Sequence, residues 1–177
     1  ENILAYIRFR QHTAEYAMAM QAPKAKIQEV QEKWLENLRA FVEEYPKAND
    51  AAEAMLQLGM AHEFEGDDDK AKEGFGRVVA EFPSSPAATK AAGAHRRLDS
   101  VGKTIDFKGE NPAGGTIDLA KFRGKVTLIQ YWATWCEPCK ADMATIKELL
   151  AKYGQRFDVI GVNLDQSVKD LADYVKE

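Results

Sequence analysis

The chain holds two cysteines, Cys136 and Cys139, separated by Glu137 and Pro138. Before them, residues 126–132 are apolar at nearly every position, the pattern of a strand buried on both faces. Beyond them a helical run over 140–153 sets Met143, Ile146, Leu150 and Tyr153 at spacings of three, four and three, which is one helix face. The pair therefore stands where a buried strand gives way to a helix N-terminus. Unpaired backbone N–H groups in a first helical turn carry partial positive charge and stabilise a thiolate. At such sites the first thiol of a Cys-x-x-Cys has its pKa drawn down, to somewhere within about 3.5–7.5. Pro138 suits the first turn, where its missing N–H costs nothing. The spacing lets the second sulfur reach the first and close a small ring. These features describe a dithiol/disulfide exchange site.

Two blander readings stand beside it. A structural zinc site needs about four ligands, and the chain has no third cysteine, while His12, His62 and His95 all lie in the other half. Neither a metal nor any cofactor beyond the redox-active disulfide is expected. Two buried, inert cysteines are opposed by the tryptophan that precedes the pair, Trp135, and by the strand-to-helix context.

Trp132-Ala-Thr-Trp-Cys136-Glu-Pro-Cys139-Lys140 resembles the active-site segment of the thioredoxin superfamily, and more narrowly the TlpA/ResA-like thiol-disulfide oxidoreductases of bacterial envelopes. The flanks agree: Leu119-Ala-Lys-Phe-Arg-Gly124-Lys125 before the strand and Val159-Ile-Gly-Val-Asn-Leu-Asp165 after the helix. The resemblance implies that Cys136 attacks and Cys139 resolves, and it matches Asp142 to an acidic residue three positions after the second cysteine. It also implies a bacterial periplasmic or envelope location. Two positions depart from the pattern. Ala144 replaces a usual helix proline, and Gln130 occupies the strand position that holds Asp or Asn in relatives. By alternation Gln130 shares a face with Val126 and Leu128, which places it under the helix, but an amide cannot serve as a general base.

The chain of 177 residues is 45% hydrophobic and 29% charged with a net charge of -4. That balance permits one or two globular domains and carries no nucleic-acid footprint. No apolar run approaches the ~20 residues of a membrane span. The first residue is Glu1, so the chain reads as a piece of a longer one.

Residues 1–99 read as a tetratricopeptide-like helical domain and 100–177 as a thioredoxin-like domain, an α plus α/β organisation. A first helix over 3–20 ends before Pro23. A second carries an apolar stripe of Ile27, Val30, Trp34, Leu38, Phe41 and Tyr45, stopped by Pro46. Asp50 is the expected cap of a third helix over 51–65, with Gly66 as its stop. Asp67 or Asp68 opens a fourth, through Ala71, Phe75, Val78 and Phe82 to Pro83. An alanine-rich fifth covers 86–98. Trp34, Leu38, Phe41 and Tyr45-Pro46 recur as Ala71, Phe75, Val78 and Phe82-Pro83 at an offset of 37 residues. Between them, Met55, Leu58-Gly59, His62, Ala71 and Phe75 resemble the tetratricopeptide pattern. A single complete repeat needs its outer helices as caps. One core is expected from Trp34, Leu38, Phe41, Met55, Leu58, Phe75, Val78 and Phe82. Glu65-Gly-Asp-Asp-Asp69 lacks EF-hand spacing and reads as a turn plus cap. Gly74 and Gly76 weaken the fourth helix by roughly 1 kcal/mol each, which close helix packing would explain. The domain serves either as a spacer or dimerisation module, or as a groove for a peptide or protein partner.

In the second half, 104–107 and 116–119 are expected to form a hairpin across a Gly/Pro/Asn-rich loop. Residues 157–164 form a strand parallel to 126–132, joined to it by the helix. Asp165 or Ser167 caps a closing helix through Val168, Leu171 and Val175. The resemblance implies a cis-proline loop, two more strands and a last helix beyond Glu177. Their absence would leave the fold incomplete, the piece weak or inactive, and the outer edge of 126–131 open to self-association.

The favoured chemistry is exchange with protein thiols and disulfides. Glu137 sets negative charge beside the Cys136 thiolate. Asp142 either moves the proton of Cys139 or is simply a favourable early-helix acid. A peroxiredoxin-type peroxidase would need a proline at position 129 and a threonine at 133, where Ile129 and Ala133 stand. A non-catalytic helical interaction scaffold carrying a redox-domain piece is the competing class.

Overall fold

Among the described residues, 3–112 and 114–166 of the computed structural model, the first hundred or so form five helices. They are α1 (Ile3–Gln21), α2 (Ile27–Glu44), α3 (Asn49–Phe64), α4 (Asp68–Glu81) and α5 (Pro86–Asp99). They belong to a unit spanning Glu1–Thr104, and a second unit spans Ile105–Glu177.

The 37-residue repeat is also a repeat of backbone geometry. Tyr45 and Phe82 end their helices with φ/ψ of −127/54 and −132/51, donating N–H bonds to Phe41 and Val78. A proline follows each and forbids continuation. Ala48 and Ser85 then open the next helix in extended backbone, with φ/ψ of −70/148 and −81/150. The repeated element is helix, proline turn, helix: α2–α3 and again α4–α5. This geometry overrides the expected capping role of Asp50. The turn fixes α3's start, with Ala48 N–H on the Tyr45 carbonyl at 3.1 Å and Ala51 N–H on the Ala48 carbonyl at 2.9 Å. Asp50 accordingly lies inside the first turn, where an acid still complements the helix dipole.

Gly66 ends α3 in the left-handed region, at φ +80. Its N–H reaches the Glu63 carbonyl at 3.0 Å and the Asp67 N–H reaches His62 at 2.9 Å, satisfying two terminal carbonyls. The Asp67 carboxylate then accepts the Lys70 N–H at 3.2 Å and starts α4. The acidic run is thus a turn and a cap.

The expected single core is two clusters, with α3 contributing to both. Met55, Leu56, Ala71, Phe75, Val78 and Ala91 fill one. Phe9, Trp34, Leu38, Phe41, Ala51 and Ala54 fill the other. Phe82 and Val42 pack against both, and Leu58 is partly buried at the second. Helix α1 covers the second cluster through Ala5 and Phe9, and Tyr16 stacks on Trp34 with centroids 4.9 Å apart. Close approach is required at Gly59, where a Cβ would sit 2.7 Å from Phe75 Cε1. It is not required at Gly74 or Gly76, whose nearest neighbours would be 3.5 and 3.8 Å away. The Arg97 guanidinium on α5 grips both Glu63 oxygens on α3, at 2.6 and 2.8 Å.

The second unit contains β1 (Lys108–Glu110), β2 (Thr116–Asp118), β3 (Val126–Trp132), α6 (Glu137–Tyr153) and β4 (Phe157–Asn163). The hairpin forms, but its first strand is displaced from 104–107 to Lys108–Glu110. Asn111 N–H bonds to the Gly115 carbonyl at 2.9 Å and Gly114 N–H to Asn111 at 2.8 Å. With Gly114 and Gly115 at positive φ, this tight loop starts the pairing beside itself, at Glu110 and Thr116. β1 and β2 form their own two-stranded sheet, while β3 and β4 pair in parallel in another. β3 is not buried on both faces among the described residues, since Val126 is 69% and Tyr131 59% exposed. Met143, Ile146 and Leu149 are the half-buried residues of the α6 face, whereas Leu150 and Tyr153 are exposed. Gly154 ends α6 at φ 51. The expected closing helix through Val168, Leu171 and Val175 lies outside the described residues.

Candidate active site

The last pair of the β3–β4 ladder is Trp132 with Asn163, and Leu164 N–H extends it to the Trp132 carbonyl at 2.9 Å. The chain then turns at Ala133, which is buried, and Cys136 N–H closes the turn on the Ala133 carbonyl at 3.1 Å. Cys136 is the N-cap of α6, so the helix begins three residues earlier than the run read from 140, and Pro138 occupies its first turn. Pro138 is tolerated there because first-turn N–H groups have no helical partner.

Cys136 and Cys139 are joined by a disulfide with Cα atoms 5.3 Å apart. Both residues are half-buried. Cys139 N–H points at Cys136 Sγ from 3.3 Å. In the reduced state this donor and the other first-turn N–H groups favour negative charge on Cys136. Cys139 Sγ lies 3.9 Å from the Tyr131 carbonyl oxygen, an acceptor for its thiol proton once the disulfide opens. The Gln130 amide donates to the Cys139 carbonyl at 3.5 Å, so this side chain sits against the start of α6.

The charges around the pair are partly compensated. Glu137 forms an ion pair with Lys140 at 2.7 Å, which offsets the negative charge it sets beside Cys136. Trp135 is 72% exposed directly before Cys136, presenting a large apolar surface to solvent. Asp142 is exposed one helical turn past Cys139, and the described residues give it no hydrogen bond or ion pair. No group of His, Cys, Asp or Glu suited to a metal ion occurs among the described residues.

Asp165, which with Ser167 is one of the two expected caps of a closing helix that lies outside the described residues, bonds into the turn before Cys136. Its carboxylate accepts Thr134 N–H at 3.0 and 3.2 Å, the Thr134 hydroxyl at 3.0 Å and the Asn163 amide at 2.7 Å. The Asn163 amide, and after it the Thr134 N–H and hydroxyl, holds this carboxyl below the usual range against the opposing effect of desolvation. A usable signal is present in the sequence. In register, Thr134 and Asp165 each lie two residues past the paired Trp132 and Asn163.

Residues 101–177 match the AhpC/TSA family model, and residues 53–85 match the tetratricopeptide repeat model. Similar curated proteins include the thiol-disulfide oxidoreductase ResA of Oceanobacillus iheyensis, 33% identical over 63 residues, covering 35% of this chain and 33% of that one. The thioredoxin-like protein YneN of Bacillus subtilis is 33% identical over 64 residues, covering 36% and 38%. The chain thus spans little more than a third of the length of these relatives. Among solved structures, a thiol:disulfide interchange protein of the thioredoxin family from Chlorobium tepidum is 26% identical, covering 40% of this chain and 50% of that one with a TM-score of 0.34.

Proposed function

We propose that the chain exchanges disulfides with protein substrates through Cys136 and Cys139, a reading supported by the match of residues 101–177 to the AhpC/TSA family model and by the similarity to thiol-disulfide oxidoreductases. The observation that carries this reading is the Cys136–Cys139 disulfide at the N-terminus of α6, with a helix N–H directed at the first sulfur.

In the reducing direction the Cys136 thiolate attacks one sulfur of a substrate disulfide. A mixed disulfide forms and the other substrate sulfur leaves as a thiolate. Cys139, deprotonated, then attacks Cys136 Sγ, closing the protein disulfide and releasing the second substrate thiolate. Two electrons pass to the substrate and none are left over. The reverse sequence starts from the disulfide form and oxidises a substrate dithiol. Asp142 is the proposed acceptor and donor of the Cys139 proton, reached by rotation or through one water. Trp135 offers apolar contact to a substrate beside the reacting sulfur.

The resemblance to envelope oxidoreductases supports a periplasmic or envelope setting, where disulfides persist. Among the described residues no helix is long and apolar enough to cross a membrane. The helical unit is proposed to bind a peptide or protein partner. Insulin-disulfide reduction tests the reading. Turnover by the parent chain that is abolished by Cys136→Ser, and slowed at the resolving step by Asp142→Asn, supports it. Equal rates for the parent and Cys136→Ser would leave a helical scaffold as the function.

A further inference from the structure

We propose that Asp165 is a positioning residue for the Cys136–Cys139 couple, acting through Thr134. The inference rests on the exchange reading above and adds a residue to that site. Thr134 lies inside the turn whose ends are Ala133 and Cys136, and Cys136 N–H is bonded to the Ala133 carbonyl at 3.1 Å. Whatever fixes Thr134 therefore fixes the point from which α6 and the first sulfur depart. Asp165 fixes it twice, taking both the backbone N–H and the hydroxyl of Thr134.

Asp165 is itself held from two directions. Its second carboxylate oxygen takes the Asn163 amide at 2.7 Å, and its own N–H donates to Asn163 Oδ1 at 3.1 Å. The carboxylate thus ties the end of β3 to the end of β4, across 31 residues of chain. Hydrogen bonds to an ionised acceptor are stronger than neutral ones, and positioning of this kind depends on supporting contacts that lock the reacting group's neighbours. A carboxylate near a thiolate would by charge alone raise the thiol's pKa. Positioning and charge therefore act on Cys136 with opposite signs, which makes them separable.

The test uses the whole reduced chain, with Cys136 alkylation by iodoacetamide followed against pH and site-mapped by mass spectrometry. Asp165→Ala removes the acceptors and the charge; Asp165→Asn removes the charge and keeps one acceptor oxygen for Thr134. Positioning requires Asp165→Ala to raise the pKa read from the Cys136 pH profile by about half a unit, which cuts the thiolate fraction, and so slows Cys136, about threefold where the pH lies below that pKa. Asp165→Asn must recover most of the parent rate. Faster alkylation in both variants means charge alone, and unchanged alkylation with a lower melting temperature means a purely structural role; either overturns the proposal. Should Asp165→Ala fail to fold, Thr134→Val deletes the hydroxyl bond alone. It must slow Cys136 in the same direction by a smaller factor, and an unchanged rate there also overturns the proposal. A parent chain in which Cys136 reacts no faster than Cys139 would refute the exchange reading itself, a result distinct from a fast Cys136 that Asp165 does not influence.

Discussion

Replacing Gly59 by alanine should destabilise the helical unit, although alanine is the better helix former. Two effects oppose each other. An interior helical Gly→Ala change is worth roughly 1 kcal/mol in favour of the helix. Against this, the new methyl would lie 2.7 Å from Cε1 and 2.9 Å from Cδ1 of Phe75. Phe75 is fully buried and surrounded by Met55, Ala71 and Val78, so the ring cannot turn away without moving its neighbours. Overpacking of this kind costs about 1–3 kcal/mol. The net is a loss between about zero and 2 kcal/mol. Gly76→Ala is the matched control on the facing helix. Its methyl would meet His95 at an ordinary 3.8 Å, so the propensity gain of about 1 kcal/mol remains unopposed. The two variants should therefore differ by about 1–3 kcal/mol in opposite directions from the parent. Urea unfolding monitored by far-UV circular dichroism measures this. Finding Gly59→Ala as stable as Gly76→Ala would refute the claim that α3 and α4 meet at Gly59 with no room for a side chain.

The same geometry yields two further outcomes. Brief iodoacetamide treatment of the reduced chain should label Cys136 ahead of Cys139, because the Cys139 N–H and the α6 terminus face the first sulfur; preferential labelling of Cys139 would reverse the assigned roles. Arg97 holds the Glu63 carboxyl below its ordinary 4.5, chiefly through the hydrogen bond and secondarily through charge, with desolvation opposing. A depressed folded pKa gives stability that is present above 4.5 and lost as pH falls through the folded value. The Arg97→Ala loss, about 0.2–1 kcal/mol for a pair this exposed, should then be seen at pH 7 and fade in acid; an equal loss at pH 2 would show that Arg97 acts by packing.

Much of this architecture is legible from local chemistry. The helices obey apolar periodicity and are cut where Pro46, Gly66 and Pro83 forbid continuation. The offset of 37 residues is visible because identical turn geometry requires the same residue classes at the same places. The displaced hairpin strand shows where local reading stops. Thr104-Ile-Asp-Phe107 alternates as a strand should, but alternation does not choose among registers. The Asn111–Gly115 loop does choose, through positive-φ glycines that close it tightly.

The same limit governs the site. The placement of Cys136 and Cys139 at a strand-to-helix junction could be read because it depends on near neighbours in sequence. Thr134 and Asp165 meet only because β3 and β4 pair with Val126 opposite Phe157 and keep that register to Trp132 and Asn163. A one-residue slip would carry Asp165 away from Thr134 and turn the strand faces over. The contact that holds the turn before Cys136 is therefore a product of strand pairing, and it lies just past the carboxyl ends of the strands, where parallel sheets generally place their chemistry. That makes register itself a functional variable here. A substitution that shifts β4 should disturb Cys136 reactivity as strongly as one at Asp165, without touching either cysteine.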